Sequence, residues 1–207
     1  ASLFPGSTTT CARSLDTIAE DFKIARPNWF PSVPRIYEKV HSKIISGAEA
    51  KGGLALKIFK WACAVGAEVS DLTQRKLPIP ALTNLKYKVA TKLVFSKVHE
   101  ALGGRVRWCI SGAAPLNPDI GRFFHAAGVL ILEGIGMTEN AGFATFTPEG
   151  ISIEEMAGQV GQAYPDLAPV TVRKPMNEDG TAGDELPVGE VGEICYHPPI
   201  VFLGYYN

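Results

Sequence analysis

Residues 128–140 read Gly-Val-Leu-Ile-Leu-Glu-Gly-Ile-Gly-Met-Thr-Glu-Asn. The first five are apolar, too few for a helix and rich in branched side chains, which predicts a buried strand. We expect the chain to break at Gly134 and Gly136, because glycine adopts backbone conformations that are closed to other residues. Thr138 and Glu139 follow at once, so they are predicted to lie at the carboxyl end of a strand, where open α/β sheets bind ligands.

The Thr-Glu pair suits a bound phosphate and its metal ion. The hydroxyl of Thr138 can donate a hydrogen bond to a phosphate oxygen, and the carboxylate of Glu139 can bind Mg²⁺. From these residues alone, the simpler interpretation is a helix cap followed by an acidic residue in the first turn. Both interpretations stay open until the rest of the chain is considered.

Composition places the chain among ordinary soluble globular proteins, with 207 residues, 46% hydrophobic and 20% charged. The formal net charge of -1 gives no indication of nucleic-acid binding. Cysteine and histidine are scattered: Cys11, Cys63, Cys109, Cys195, His41, His99, His125 and His197. This scatter predicts reduced thiols in a cytoplasmic protein and no cysteine or histidine metal site. No apolar run approaches the roughly 20 residues that span a bilayer.

The beginning of the chain predicts one strand–helix–strand unit. Residues 7–11, Ser-Thr-Thr-Thr-Cys, favour a strand through their β-branched threonines. Residues 14–24 favour a helix capped by its first serine. Pro27 ends the helix, because the residue before a proline disfavours helical geometry. Residues 28–30 suit a second short strand.

A helical insert is predicted at about residues 36–102, as three helices separated by glycine and proline. The lysines of the insert include Lys39, Lys43, Lys51, Lys57, Lys60, Lys86, Lys88, Lys92 and Lys97. A solvated polar face accounts for them most simply. The alternative is a basic surface in peripheral contact with a membrane, and that alternative stays open.

A second unit follows the insert, with a strand at 105–110, a helix at 118–127 and the strand at 128–132. If the two strands are parallel neighbours, the turns at 111–116 and 133–139 lie side by side at one edge of the sheet. The small residues of the first turn would let a flat ring approach the backbone.

From about residue 158 the sequence pattern changes to short predicted strands between glycine and proline turns, which predicts an antiparallel sheet or partial barrel. The predicted fold class is therefore α/β: part of an open, mostly parallel sheet flanked by helices, followed by an antiparallel β region. We place the boundary between an α/β subdomain, 1–157, and a β-rich subdomain, 158–207. Residues 177–185 are predicted to form a hairpin loop.

Five ordered motifs resemble the adenylate-forming superfamily. They are Arg26-Pro27 with Val33-Pro34-Arg35, Ser-Gly-Ala-Ala-Pro-Leu at 111–116, Glu-Gly-Ile-Gly-Met-Thr-Glu at 133–139, Gly-Gln-Val-Gly-Gln at 158–162, and Gly192-Glu-Ile with Phe-Leu-Gly-Tyr-Tyr-Asn at 202–207. Within the superfamily, the helical insert resembles that of long-chain acyl-CoA synthetases (fatty-acid–CoA ligases). Each motif alone is weak, but five in this order cover nearly the whole chain.

The resemblance implies an AMP-forming ligase that joins a long-chain fatty acid to CoA at the expense of ATP, through an acyl-AMP intermediate. It implies that Thr138 bonds the α-phosphate and that Glu139 binds Mg²⁺, as the two catalytic residues. The nucleotide would be bound by Ser111, Gly112, Ala113, Ala114, Pro115, Glu133, Gly134, Ile135, Gly136, Met137 and Thr138. The alternatives are an enzyme that activates another acid or serves a carrier protein, a nucleotide-binding module without catalysis, and a membrane-surface domain.

The sequence departs from the family in three respects. Ile135 stands where the family usually has an aromatic residue that stacks on adenine, so it can cover the base only by dispersion. The phosphate loop ending in lysine is missing, since residues 7–10 lack the glycines and the lysine. The Thr-Ala-Gly-Asp at 181–184 comes too early to be the family's ribose-binding aspartate. We therefore expect a fragment of the large N-terminal domain, without the C-terminal domain and inactive alone.

Overall fold

The computed structural model describes residues 8–205 apart from 149, 158, 160, 164, 165, 167 and 168. Parts of three motifs therefore lie outside the described residues: residue 7 of the first predicted strand, residues 158 and 160 of the Gly-Gln-Val-Gly-Gln motif, and residues 206 and 207 at the end of the chain.

The main sheet has five strands in the order β1-β2-β3-β4-β5. They are β1 Trp29–Ser32, β2 Trp108–Ser111, β3 Leu130–Met137, β4 Gly142–Phe146 and β5 Gln162–Ala163. The first three strands are parallel, and β4 and β5 are added antiparallel. The predicted α/β sheet is confirmed, and β2 and β3 are the parallel neighbours on which the predicted site depends.

Seven helices are present among the described residues: α1 Ile18–Ala25, α2 Pro34–Lys51, α3 Gly53–Gln74, α4 Ala81–Ala90, α5 Ser96–Ala101, α6 Pro118–Ala126 and α7 Ile153–Ala157. A π-helical turn, Thr91–Phe95, joins α4 to α5. The three predicted helices of the insert are confirmed, with this turn inside the third. Val94 and Phe95, which are adjacent in the turn, are both buried.

The first predicted unit differs from the structure at its beginning. Residues 8–11 are exposed and form no strand. β-branched residues stabilise a strand mainly by packing against a neighbouring strand, and residues 8–11 have no such neighbour among the described residues. α1 ends as predicted before Pro27, with Arg26 in the left-handed conformation at φ 46° and its N–H donating to Phe22 O at 2.9 Å.

The hydrophobic core lies between the parallel strands and the helices. Its fully buried members include Tyr37, Phe95, Val98, Phe124 and Val129. The hydroxyl of Tyr37 donates to the carbonyl oxygen of a β2 residue, Ile110, at 2.8 Å. Because a buried hydroxyl without a partner is costly, this bond fixes α2 against the sheet.

A second, two-stranded antiparallel sheet is formed by β6, Val170–Arg173, and β7, Glu193–Tyr196. It confirms the predicted antiparallel region. The predicted loop at 177–185 is confirmed by a turn in which Asn177 N–H donates to Thr181 O at 2.9 Å. Residues 189–192, between that loop and β7, form no strand.

The expected break at Gly134 and Gly136 is wrong. β3 continues through both residues to Met137, with a bulge between Ile135 and Gly136. Neither glycine has a positive φ. Their missing side chains serve instead to let β4 approach, as the contacts at the site show.

Candidate functional site

The two predicted ligand-binding stretches meet at the carboxyl ends of β2 and β3. Ser111 pairs with Glu133 in register, so the segment after β2 begins beside the middle of β3. The N–H of Leu116 then donates to the Glu133 carboxylate. The N–H of Gly112 donates to Ser32 O at 3.0 Å, which brings in the end of β1. The carboxyl ends of the parallel strands β1 and β2 and the second half of β3 therefore lie next to each other at one edge of the sheet.

An open cleft of about 460 Å³ lies at this edge. Five of the predicted residues line it: Gly112, Ala113, Gly136, Met137 and Thr138. Its walls are mostly small side chains and backbone, which suits the approach of a flat ring. Ala113 has φ 70° without being glycine. Such backbone conformations are uncommon outside glycine and concentrate at functional sites.

The other predicted residues lie around the cleft. Ser111 is buried below it, and its hydroxyl has no hydrogen-bond partner among the described residues. Ala114 and Pro115 are exposed on the loop beyond it. Gly134 and Ile135 are within β3; Ile135 is half-buried, is paired with Thr145 and is not among the residues that line the cleft.

The glycines of β3 let β4 pack closely beside it. A Cβ on Gly134 would lie 2.9 Å from Thr145 O, and one on Gly136 would lie 2.6 Å from Gly142 O. Both contacts are with the backbone of β4, which cannot move aside as a side chain can. A Cβ on Gly112 would lie 3.0 Å from the ring of Phe143. These three glycines are therefore needed for close packing.

Thr138 and Glu139 follow β3 in a 3-10 turn, Thr138–Asn140. Glu139 is half-buried, and its carboxylate accepts a hydrogen bond from the hydroxyl of Tyr205. Its backbone carbonyl accepts a hydrogen bond from Phe202 N–H at 2.8 Å. The bond from Tyr205 lowers the pKa of Glu139, so its carboxylate is charged at neutral pH. The end of the described chain is thereby held over the turn.

A metal ion at Glu139 would need ligands from elsewhere. Within the part of the chain that the structure describes, no group of three or more His, Cys, Asp or Glu side chains is placed to hold one. A single half-buried carboxylate is compatible with Mg²⁺, which keeps several waters and is bound by substrate phosphates together with one or two carboxylates.

Five cleft residues were not predicted from the sequence: Pro31, Ser32, Val33, Gly142 and Phe143. Val33 could have been found, because it follows β1, the strand parallel to β2. Phe143 could not have been found from the sequence. It reaches the cleft because β4 pairs antiparallel with β3, and nothing in the sequence after Thr138 predicted that pairing.

Glu133 faces away from this cleft into a separate cavity of about 20 Å³ between β3, α6 and α7. The same cavity is lined by His125 and Ile153. Burial raises the pKa of Glu133, and the hydrogen bond from Leu116 N–H opposes that rise only in part. The structure thus gives Glu133 the role of holding the 111–116 loop to β3.

Replacing Glu133 by Gln should flatten the pH dependence of stability from pH 4.5 upward. Since its pKa is higher in the folded state, the stability contributed by this group is full below pH 4.5 and is lost as the pH rises through the folded pKa. Gln keeps the acceptor for Leu116 N–H and does not titrate. Urea midpoints of the full-length protein at several pH values measure the difference.

The matched control is Glu155→Gln, with the opposite sign. Hydrogen bonds from Ser152 lower the pKa of Glu155, so its contribution is present at neutral pH and is lost on acidification. An unchanged pH profile in Glu133→Gln would contradict the proposed burial of its carboxyl.

None of the helices in the described residues has the length and apolar character needed to cross a membrane.

A family model described as "AMP-binding enzyme" matches residues 1–206. Long chain acyl-CoA synthetase 6, peroxisomal, of Arabidopsis thaliana is 34% identical over 191 residues, which are 92% of this chain and 25% of that protein. Long-chain-fatty-acid–CoA ligase 5 of Mus musculus is 32% identical over 189 residues, 91% of this chain and 25% of that protein. Apo MatB from Rhodopseudomonas palustris aligns with a TM-score of 0.49 and 26% identity, covering 93% of this chain and 26% of that chain. The chain thus spans about a quarter of the length of the curated relatives it matches.

Proposed function

This chain belongs to the AMP-binding enzyme family, and from that premise we propose that the whole protein is an ATP-dependent long-chain fatty acid–CoA ligase. The proposal rests on one observation above all: the two stretches that the family would use for the nucleotide meet at one cleft. The relatives named above, both long-chain enzymes, favour a fatty acid as the substrate.

The reaction has two halves. A fatty acid carboxylate attacks the α-phosphate of ATP, which forms acyl-AMP and releases pyrophosphate. The thiol of CoA then attacks the acyl carbon and releases AMP. The first half begins from bound ATP and the second from the acyl-AMP formed from it, so the site must hold adenine and the α-phosphate in one orientation through both.

In the proposed arrangement, adenine enters the cleft beside the backbone of Gly112 and Ala113, with the ring of Phe143 next to Gly112. Thr138, at the rim, donates its hydroxyl proton to an oxygen of the α-phosphate. Ile135 would cover the base only by dispersion. The remaining predicted residues, Ser111, Ala114, Pro115 and Glu133, act through the loop that closes this side of the cleft.

Glu139 would hold Mg²⁺ together with phosphate oxygens of the nucleotide, and the ion would supply positive charge where negative charge develops on the phosphates. The charged carboxylate directly after Thr138 supports this assignment. Glu139 also accepts the Tyr205 hydroxyl, which holds the carboxylate in one direction.

The test is ATP–pyrophosphate exchange by the full-length protein with palmitate, compared with acetate and benzoate. Exchange that requires palmitate, followed by palmitoyl-CoA formation on adding CoA, is the expected result. Exchange with a short or aromatic acid alone would show another carboxylate substrate, and acyl transfer only to a carrier protein would show another acceptor. No exchange with any acid would leave a nucleotide-binding module.

Thr138→Ala should weaken exchange by raising the KM for ATP, because one donor to the phosphate is lost. Thr10→Ala is the matched control, since Thr10 is exposed and far from the cleft in sequence. Equal KM values for ATP in the two variants would contradict the role of Thr138.

A further inference from the structure

We propose that Gln74, on α3, is a positioning residue for the 111–116 loop. It acts through a buried chain of hydrogen bonds, which holds the proton of His125 on Nε2 and leads through one internal water molecule to Glu133. The proposal deepens the function proposed above, and it rests on that function only in taking the 111–116 loop as the nucleotide loop.

The chain begins at a backbone donor. The N–H of Ile153, the first residue of α7, donates to Oε1 of Gln74 at 2.8 Å. A backbone N–H can only donate, so the side of the Gln74 amide that it meets is the oxygen. The amide nitrogen therefore faces the other way, and it donates to the hydroxyl oxygen of Ser70 at 2.7 Å. The orientation of the Gln74 amide is thus determined by its contact with α7.

The Ser70 hydroxyl carries this direction on to His125. Its oxygen lies 2.7 Å from Nδ1 of His125, and Ser70 is 5% exposed. Among the described residues this hydroxyl bonds only to Gln74, which donates to it, and to His125. The Ser70 proton therefore has Nδ1 as its acceptor, since leaving a buried hydroxyl proton without one is costly.

The accepting role of Nδ1 determines where the imidazole of His125 carries its proton. Burial lowers the pKa of His125, so the ring is neutral at neutral pH. A neutral imidazole has one N–H, and when Nδ1 accepts, that N–H is on Nε2. The chain from Ile153 thus selects one tautomer of His125.

The chain continues into the cavity of about 20 Å³ between β3, α6 and α7, which His125 and Glu133 both line. A polar site of this size is large enough for one water molecule. The Nε2–H of His125 supplies a donor and the carboxylate of Glu133 an acceptor, so the two side chains can hold that water between them. Glu133 also accepts the N–H of Leu116, and the chain therefore ends on the 111–116 loop.

The chain gives a residue of the helical insert control over the loop. A Glu133 carboxylate that is held by a second donor is more restricted in direction than one that is held by Leu116 N–H alone. Gly112 and Ala113, beside which the base is proposed to lie, belong to the same loop. Gln74 therefore positions the nucleotide without contacting it.

The first test measures the tautomer of His125. Nitrogen NMR spectra of the full-length protein with labelled histidine distinguish a proton on Nε2 from one on Nδ1, and we expect Nε2. Gln74→Glu keeps the acceptor for Ile153 N–H but removes the donor to Ser70, whose proton should then turn to the new carboxylate. His125 should become a mixture of both tautomers. A proton on Nδ1 in the unmodified protein, or an unchanged spectrum in the variant, would overturn the proposal.

The second test measures the loop. Hydrogen exchange at Leu116 N–H, without nucleotide, should be about fivefold faster in Gln74→Glu and in Ser70→Ala, which corresponds to the loss of roughly one hydrogen bond. In pyrophosphate exchange the KM for ATP should rise by a similar factor with kcat unchanged, because ATP and the transition state are bound through the same loop. Partial unfolding would instead lower kcat and leave KM unchanged, and that result would contradict a positioning role.

The matched control is Thr73→Val. Thr73 is next to Gln74 on α3, and its hydroxyl donates to Val69 O at 2.7 Å, within the helix itself. This variant should keep the Leu116 exchange rate and the KM of the unmodified protein. Equal effects in Thr73→Val and Gln74→Glu would overturn the proposal, as would unchanged Leu116 exchange in both chain variants. The spectra and the Leu116 exchange need no nucleotide, so they decide the chain even if pyrophosphate exchange rejects the proposed reaction.

Discussion

Glu139→Gln in the full-length protein should lower the rate of ATP–pyrophosphate exchange at least about a hundredfold, because a metal ion on the phosphates contributes several kcal/mol to the transition state. Gln preserves the size of the side chain and its acceptor for the Tyr205 hydroxyl, and removes the negative charge that attracts Mg²⁺. Exchange measured over a range of Mg²⁺ concentrations separates weaker metal binding from a change in fold. A rate restored by excess Mg²⁺ would identify binding of the ion as the defect.

Glu190→Gln is the control for this change. Glu190 is exposed in the turn before β7, and its carboxylate forms no ion pair among the described residues. We expect its exchange rate to equal that of the unmodified protein. A near-normal rate in Glu139→Gln would exclude Glu139 as the metal ligand, while leaving the nucleotide cleft itself untouched.

Gly136→Ala should destabilise the full-length protein by about 1–3 kcal/mol, the usual cost of adding a methyl group where there is no room. The new Cβ would meet the carbonyl oxygen of Gly142 at 2.6 Å, and the strand that carries this oxygen could yield only by separating from β3. Since Gly136 also lines the cleft, nucleotide affinity should fall as well. Urea unfolding and ATP titration measure the two effects.

The contrasting substitution is Gly47→Ala. Gly47 lies inside α2, and a Cβ there meets nothing within 4 Å. Alanine should therefore stabilise the protein, by about 0.5–1 kcal/mol, through its higher helix propensity. Equal stability changes in the two variants would show that the strands adjust to the added methyl group, contrary to the close approach described above.

Much of the fold could be predicted from the sequence because it depends on local patterns. The apolar periodicity after Pro34 defined three helices, and the apolar run before Glu133 defined the buried half of β3. The order strand, helix, strand then implied that β2 and β3 are parallel neighbours, since such crossovers have a strongly preferred geometry. The meeting of the 111–116 and 133–139 segments followed from that pairing.

The antiparallel half of the sheet could not be predicted in the same way. Glycine has two uses, a left-handed backbone and the absence of a side chain, and the sequence does not distinguish them. At Gly134 and Gly136 the second use applies, because β4 crosses close by. The partner strand begins at Gly142, and only the pairing itself shows that the intervening residues form a tight connection.

Whether a run with β-branched residues forms a strand also depends on its position relative to other strands. Residues 8–11 have the side chains of a strand and no neighbouring strand in the described structure, so they remain irregular. Residues 170–173, also β-branched in part, pair with Glu193–Tyr196 and form β6. The strand propensity of a residue reflects its packing against side chains of a neighbouring strand. Whether such a strand is present depends on the whole fold.

The unbroken course of β3 determines which side of the site can move. Leu130–Met137 runs from the buried core to the residue before Thr138 without a hinge, and is hydrogen-bonded to β2 along one part and to β4 along another. Thr138 therefore lies on the rigid side of the site. Any closure around a bound nucleotide must come from segments that swing towards it, and amide hydrogen exchange should remain slow in β3 while such segments exchange faster.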